Sequence, residues 1–200
     1  MKKRFRKGMN MSTGENPDRD VADFYATAPE AVRALLHVVN FKGPIWECAN
    51  GKGHIQNVLK SAGHRVVVTE AFPERYGTGD KKLDFTVATK ALAPNLITNP
   101  PYSLLNEFID RSLSLCTGKV ALLAPLQAIS SMGRLNLYLK HGYPDMYVLA
   151  PTLKVPKFDG SILKSAFSHV WLVWPARNRK HGKFQILNWR EINLKGEQQP

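Results

Sequence analysis

Apolar positions along the chain change their period several times. In PEAVRALLHVV (29–39) they recur at the three- and four-residue spacing of an amphipathic helix, and the GPIWECA that follows has the short apolar run of a strand. HIQNVLKSAG places Ile55, Val58, Leu59 and Ala62 on one helical face before Gly63 ends it. HRVVVTEA is a β-branched run suited to a buried strand, and NLITN is another. Leu105, Phe108, Ile109 and Cys116 return to helical intervals, while KVALLAPL, MYVLAP and FSHVWLVWP supply three further strands. Alternation of this kind predicts an α/β fold: a mostly parallel sheet with helices on both faces. In such sheets ligands sit beyond the carboxyl ends of the strands. Each chemically suggestive cluster of the chain falls at one of these predicted ends.

Two hundred residues with 44% hydrophobic content suit one α/β domain with a sizeable core. The chain shows neither an internal repeat nor a low-complexity linker. No apolar run approaches the ~18 residues of a membrane span. The N-terminal MKKRFRK leads into GMNMSTGENPDRD rather than into the hydrophobic region of a secretory signal. A cytoplasmic protein without a membrane partner is therefore expected. Cys48 and Cys116 lie in apolar contexts without metal-ligand spacing, which predicts buried free thiols and no metal site.

The net charge of +12 is unevenly distributed. Residues 1–7 carry five Lys/Arg and no acid, residues 8–110 carry ten basic and twelve acidic side chains, and residues 111–190 carry twelve basic against only Asp145 and Asp159. One-sided basic charge is the footprint of a domain that gains affinity for nucleic acid by releasing counterions from phosphates; the alternative is a solubilising surface. The tail is either a polyphosphate-seeking arm or a solvated terminus.

Three local patterns carry candidate chemistry. In ECANGKGHI a strand ending at Glu47 runs through Gly51 and Gly53 into a helix near His54, and glycines there allow a sharp turn and close approach of a ligand. Glu70 ends VVVTE, where an acid can accept both hydroxyls of a ribose or stand as a solvated charge. LITNPPYSLLNEFI sets Asn99, Pro100, Pro101 and Tyr102 directly after an apolar strand. Proline fixes φ, lacks an N–H and forces the preceding residue out of the helical region, so NPPY predicts a stiff, extended elbow able to hold acceptors toward a ligand.

Taken together, these stretches resemble the S-adenosylmethionine-dependent methyltransferases, and specifically the amino-methyltransferases that modify N6 of adenine in DNA. DFYATAPEAV (23–32) is similar to the segment that reaches the methionine end of the cofactor, WECANGKGH to the glycine-rich cofactor loop, VVVTEAF to the strand whose acid holds the ribose, and LDF (83–85) to the segment whose Asp contacts the adenine amino group. NPPY matches the catalytic tetrapeptide. The resemblance spans roughly residues 20–175 and implies a Rossmann-like class I fold with a seven-stranded sheet, no metal, and S-adenosylmethionine bound by Tyr25, Thr27, Pro29, Glu47, Ala49, Gly51, Gly53, Glu70, Ala71, Asp84, Phe85 and Asn99. Departures from the family pattern are Ala28 between Thr27 and Pro29, Cys48 in place of proline, Asn50 in place of Cys or Gly, and Lys52 where small or acidic residues are usual. Lys52 either pairs with the cofactor carboxylate or points to solvent.

The resemblance also implies a mechanism. The Asn99 side-chain oxygen and the Pro100 carbonyl each accept one N–H of the target amine, drawing its nitrogen toward tetrahedral geometry so that the lone pair attacks the sulfonium methyl. Tyr102 stacks on a base flipped from the duplex, and Phe158 is either a second aromatic wall or a packing residue. Trp171, Trp174 and Trp189 are read as core or anchoring residues. The implied organisation is a basic arm (1–19), a catalytic domain (20–176) and a basic C-terminal extension (177–200), monomeric or weakly dimeric. The extension is too short for a separate recognition domain, so specificity for DNA is expected to be short or relaxed, with phosphate contacts positioning the protein without reading sequence. Such outlines resemble the phage and mobile-element enzymes that protect DNA against restriction. An RNA base, a protein glutamine amide, or a nucleic-acid-binding module that no longer holds cofactor are the alternatives.

Overall fold

Eight strands form one sheet in the order Phe184–Asn188, Asp145–Ala150, His169–Trp174, Val120–Pro125, Asn95–Thr98, Ile45–Glu47, Val66–Glu70 and Lys81–Lys82, in a computed structural model that describes residues 26–76, 78, 80–152, 155–156, 162–163, 168–176 and 182–196. Helix α1 (Pro29–Val38) opens on a proline, whose missing N–H costs nothing in a first turn, and buries Ala31, Val32, Ala34 and Leu35. Strand β1 (Ile45–Glu47) leads through the glycine turn into α2 (His54–Ser61), which ends where Gly63 takes φ 81° and the His64 N–H donates to the Leu59 carbonyl. Then follow β2 (Val66–Glu70), the short α3 (Pro73–Tyr76), β3 (Lys81–Lys82), a 3-10 turn at Phe85–Val87, β4 (Asn95–Thr98), α4 (Leu105–Leu115), β5 (Val120–Pro125), α5 (Met132–His141) and β6 (Asp145–Ala150). A small hairpin of β7 (Val155–Pro156) and β8 (Ile162–Leu163) precedes β9 (His169–Trp174), β10 (Phe184–Asn188) and α6 (Trp189–Gly196).

All neighbouring pairs of the large sheet are parallel except those made by β9, which runs antiparallel to both β5 and β6. Side chains alternate between the two faces, so each central strand feeds two cores. Ile97, Ala121, Leu123, Leu149, Trp171 and Val173 pack with α1 and with Ile55 and Leu59 of α2. Trp46, Leu96, Leu122, Val148, Leu172 and Trp174 pack on the other face with Leu105, Phe108 and Ile109 of α4 and Tyr138 of α5. Near-continuous burial along β4, β5 and β9 is what a sheet covered on both sides requires.

The α/β class and the mostly parallel sheet agree with expectation, whereas the strand count is eight rather than seven. Residues 184–196, assigned by their sequence to a basic extension, pair β10 with β6 and lay Trp189 and Ile192 against the α1 core. Only Leu187 of β10 is buried, so the strand has no buried run to announce it. Cys48 and Cys116 are free, buried thiols. Trp171 donates to the Ala31 carbonyl at 2.8 Å and Trp174 to the Gly142 carbonyl at 2.8 Å, both buried and anchoring the fold. No helix among the described residues is long and apolar enough to cross a membrane.

Candidate active site

The parallel strands bring Glu47, Glu70, Thr98 and Pro125 to one rim of the sheet, and antiparallel β9 begins at the same rim with His169 opposite Pro125. The glycine turn after β1 is tied to this rim and to its own backbone by hydrogen bonds. Gly51, at φ 52°, donates its N–H to Glu70 Oε2 at 2.8 Å, and Oε1 of the same carboxylate accepts the Phe72 N–H at 3.1 Å. Gly53, at φ 80°, donates to the Asn50 carbonyl at 2.8 Å and caps α2 without a side chain. A Cβ on Gly53 would stand 3.2 Å from Gln56 Oε1 in a backbone conformation that L-residues rarely adopt. Asn50 ties the turn outward: its Nδ2 donates to Asp80 Oδ2 at 2.6 Å and to Gln56 Oε1 at 3.1 Å.

Glu47 is 1% exposed. Its Oε1 accepts the Ala49 N–H at 3.0 Å and the Thr98 hydroxyl, while Oε2 is buried without a hydrogen-bond partner. Burial pushes this carboxyl up to about 8, and the nearby negative charge of Glu70 acts in the same direction. The group is therefore protonated at neutral pH. An orphaned polar atom beside a glycine turn is the feature that a bound polar ligand completes.

The elbow lies one strand away. Asn99 follows β4, and its Nδ2 donates to Thr27 Oγ1 at 3.1 Å, joining residues 72 positions apart. Thr27 is buried in the segment that enters α1, and Pro29 opens that helix. Pro100 is buried; Pro101 precedes a 3-10 turn at Tyr102–Leu104, closed by the Leu104 N–H on the Pro101 carbonyl at 2.9 Å. Tyr102 is half-buried, its ring centroid 6.5 Å from that of His169.

The structure thus brings together Thr27, Pro29, Glu47, Ala49, Gly51, Gly53, Glu70, Ala71 and the NPPY residues at or next to the rim. Asp84 and Phe85 lie on the turn after β3. Asp84 Oδ1 accepts both the N–H and the hydroxyl of Thr86. The Phe85 side chain is spent on the core, edge-on to Trp46 at 5.1 Å and beside Phe108 at 4.8 Å. Lys52 is exposed. Tyr25 and Phe158 lie outside the described residues. Among the described residues no group of three His, Cys, Asp or Glu side chains could hold a metal ion. Sequence reasoning missed Thr98, Asp80 and His169; a polar residue opening an otherwise apolar strand, as in SHVWLVW, was the available signal for the last.

No family model matches the chain, and no curated protein matches it. Solved structures match in fold. A protein from Pyrococcus horikoshii assigned as an RNA methyltransferase superposes with a TM-score of 0.59 at 13% identity, over 78% of this chain and 88% of that one. A Listeria monocytogenes protein assigned as a class I S-adenosylmethionine-dependent methyltransferase gives 0.52 at 10% identity, over 84% and 66%. A chain of the E. cuniculi Mtq2–Trm112 complex, responsible for methylation of the eRF1 translation termination factor, gives 0.50 at 16% identity, over 78% and 99%. The chain has the Rossmann-like class I methyltransferase fold.

Proposed function

We propose that this chain is an S-adenosylmethionine-dependent methyltransferase acting on N6 of adenine in DNA with short or relaxed sequence specificity. The observation that carries the reading is the Asn99–Thr27 hydrogen bond at the mouth of the NPPY elbow. An amide whose nitrogen is engaged by Thr27 offers its oxygen, an acceptor, to a substrate. The fitting substrate group is an N–H donor, such as a planar amino group.

The glycine turn, Glu70 and the orphaned Oε2 of Glu47 fit the proposed cofactor. Glu70 would hold the ribose, the turn would line the methionine moiety, and protonated Glu47 would offer a buried hydrogen-bonding group beside it. When bound, S-adenosylmethionine supplies an electrophilic methyl group on a positively charged sulfur. The residues of the chain do the rest by position. Asn99 Oδ1 and the Pro100 carbonyl each accept one N–H of the amine, which removes its lone pair from conjugation and stabilises the positive charge that grows on nitrogen. Preorganised dipoles of this kind lower a barrier by ~3 kcal/mol each. The surplus proton leaves to water or by way of Asn99. Tyr102 stacks on the flipped base and offsets part of the cost of unstacking it.

A nucleic acid is preferred to a protein because +12 on 200 residues suits a polyanion, and DNA is taken from the resemblance of NPPY to the adenine-N6 enzymes. The arm of residues 1–19 is assigned to phosphates, and Phe158 is either a second aromatic wall or a packing residue. An RNA base is the second reading, favoured by the fold likeness to the assigned RNA methyltransferase of Pyrococcus horikoshii.

Calorimetric titration with S-adenosylmethionine, followed by labelled methyl transfer to duplex DNA, single-stranded DNA and RNA with nucleoside analysis, tests the proposal. N6-methyldeoxyadenosine is the expected product. Label in RNA alone moves the substrate assignment, and no heat at millimolar cofactor leaves a nucleic-acid-binding module.

A further inference from the structure

His169 is 5% exposed, and its Nδ1 is buried without a hydrogen-bond partner among the described residues. Leaving such an atom orphaned costs stability, so its place needs a reason. That place is the rim of the sheet. His169 begins β9 opposite Pro125, the last residue of β5, and shares a face with Trp171, whose indole donates to the Ala31 carbonyl of α1. The segment entering α1 carries Thr27, which holds Asn99. The imidazole is therefore on the Thr27 side of the sheet and beside Tyr102, at 6.5 Å between centroids with the rings inclined by 48°.

Burial holds the imidazole below its ordinary value, so at neutral pH it is uncharged, with one ring nitrogen a donor and the other an acceptor. A neutral imidazole suits a heteroaromatic ring better than a phosphate or carboxylate, which would call for a cation. In adenine the amino group is flanked by ring nitrogens N1 and N7, both acceptors, whereas a glutamine amide has no ring to read.

We propose that His169 is a specificity-determining residue: its imidazole hydrogen-bonds a ring nitrogen flanking the amino group that Asn99 and Pro100 hold, while Tyr102 stacks on the same ring. The inference rests on the proposed function and goes beyond it by naming the group that separates a purine from other planar amines. A site that hydrogen-bonds a substrate rejects the analogue lacking the partner atom strongly, since its own buried group is then left unpaired.

The test compares single-turnover methyl transfer to oligonucleotides carrying adenine, 1-deazaadenine or 7-deazaadenine as the sole acceptor base. With the wild-type protein, one of the two deaza bases should react at least about tenfold more slowly than adenine, the other much as adenine does. In His169→Phe the penalty should vanish because adenine itself slows to the rate of that analogue, and His169→Asn should restore part of it. Equal rates for all three bases with the wild type overturn the inference without any variant, as does a penalty that survives in His169→Phe. If cofactor binds and no oligonucleotide is methylated, the proposed function fails and this inference with it; transfer without discrimination overturns the inference alone.

Discussion

The backbone N–H of Gly51 donates to Oε2 of Glu70 at 2.8 Å, so the acid at the tip of β2 holds the turn that leaves β1. The other oxygen of Glu70 accepts the Phe72 N–H at 3.1 Å, and the side chain is only 6% exposed. One carboxylate thus fixes the turns after two adjacent strands, and a ligand that used Glu70 would meet both turns already in place. Glu70→Ala leaves two N–H groups without their acceptor, each worth about 1–3 kcal/mol where water cannot replace it. It should lower the melting temperature and weaken S-adenosylmethionine binding by at least about tenfold, the equivalent of one charged hydrogen bond. Glu70→Gln keeps one acceptor oxygen and should lose less of both. Thermal melts beside calorimetry check this: affinity lost at unchanged stability means that Glu70 serves the ligand and not the turn.

Thr27 and Asn99 supply a second, separable prediction. Thr27→Val keeps the shape of a buried residue but removes the oxygen that accepts from Asn99 Nδ2. The amide then rotates more freely and its acceptor is less well aimed. Turnover should fall by about ten- to a hundredfold with the cofactor Kd little changed, and Asn99→Ala, which deletes the acceptor itself, should cost about 100- to 1000-fold. Thr27→Ser should recover most of the rate. A drop in cofactor affinity equal to the drop in turnover would make Thr27 a cofactor contact instead.

These two contacts mark how far the primary sequence could be read. The buried strands were legible because NLIT and VALLA have no polar alternation to confuse them, β2 because of its β-branched VVV although Val66–Val68 are only half-buried, and α1, α2 and α4 because their apolar residues keep helical spacing. Strand β3 was not: two exposed lysines carry no hydrophobic signal, and only the neighbouring Glu70 strand makes them a ladder. Helix α5 escaped because Met132, Leu135 and Leu139 are exposed, leaving Tyr138 as its one buried residue. In the site, NPPY, Glu70 and the glycines announced themselves through backbone constraints that local sequence encodes. His169 and Thr98 did not, since what distinguishes them is a partner, or the lack of one, supplied by residues far along the chain.

The basic arm makes a prediction about salt. Five Lys/Arg fall within residues 1–7. If they pair with phosphates, deleting residues 1–7 should make the plot of log affinity for duplex DNA against log salt concentration shallower, by about 0.9 for each phosphate that the arm neutralises. Binding measured from about 50 to 200 mM salt covers the range in which such a change is large. An unchanged slope assigns nucleic-acid binding to the basic second half of the chain.

Glu47 gives the fold a pH dependence of unusual sign for an acid. In the unfolded chain its carboxyl titrates at the ordinary 4.5, while burial in the folded protein raises it to about 8. Below about 4.5 both states are protonated and the group contributes no slope. Between these values the folded state binds a proton that the unfolded state has released, so stability falls as pH rises, by up to about 1.4 kcal/mol per pH unit for this one group. Above about 8 both states are ionised and no further loss follows. Glu47→Gln is neutral throughout and keeps an oxygen able to accept from Ala49 and Thr98, as Oε1 does now. Its melting temperature should therefore depend less on pH from about 5 to 8 than that of the wild type, and the variant should be the more stable of the two at the upper end. Parallel profiles across that range would mean that Glu47 is ionised in the native protein, with Oε2 paired to a group that burial alone does not reveal.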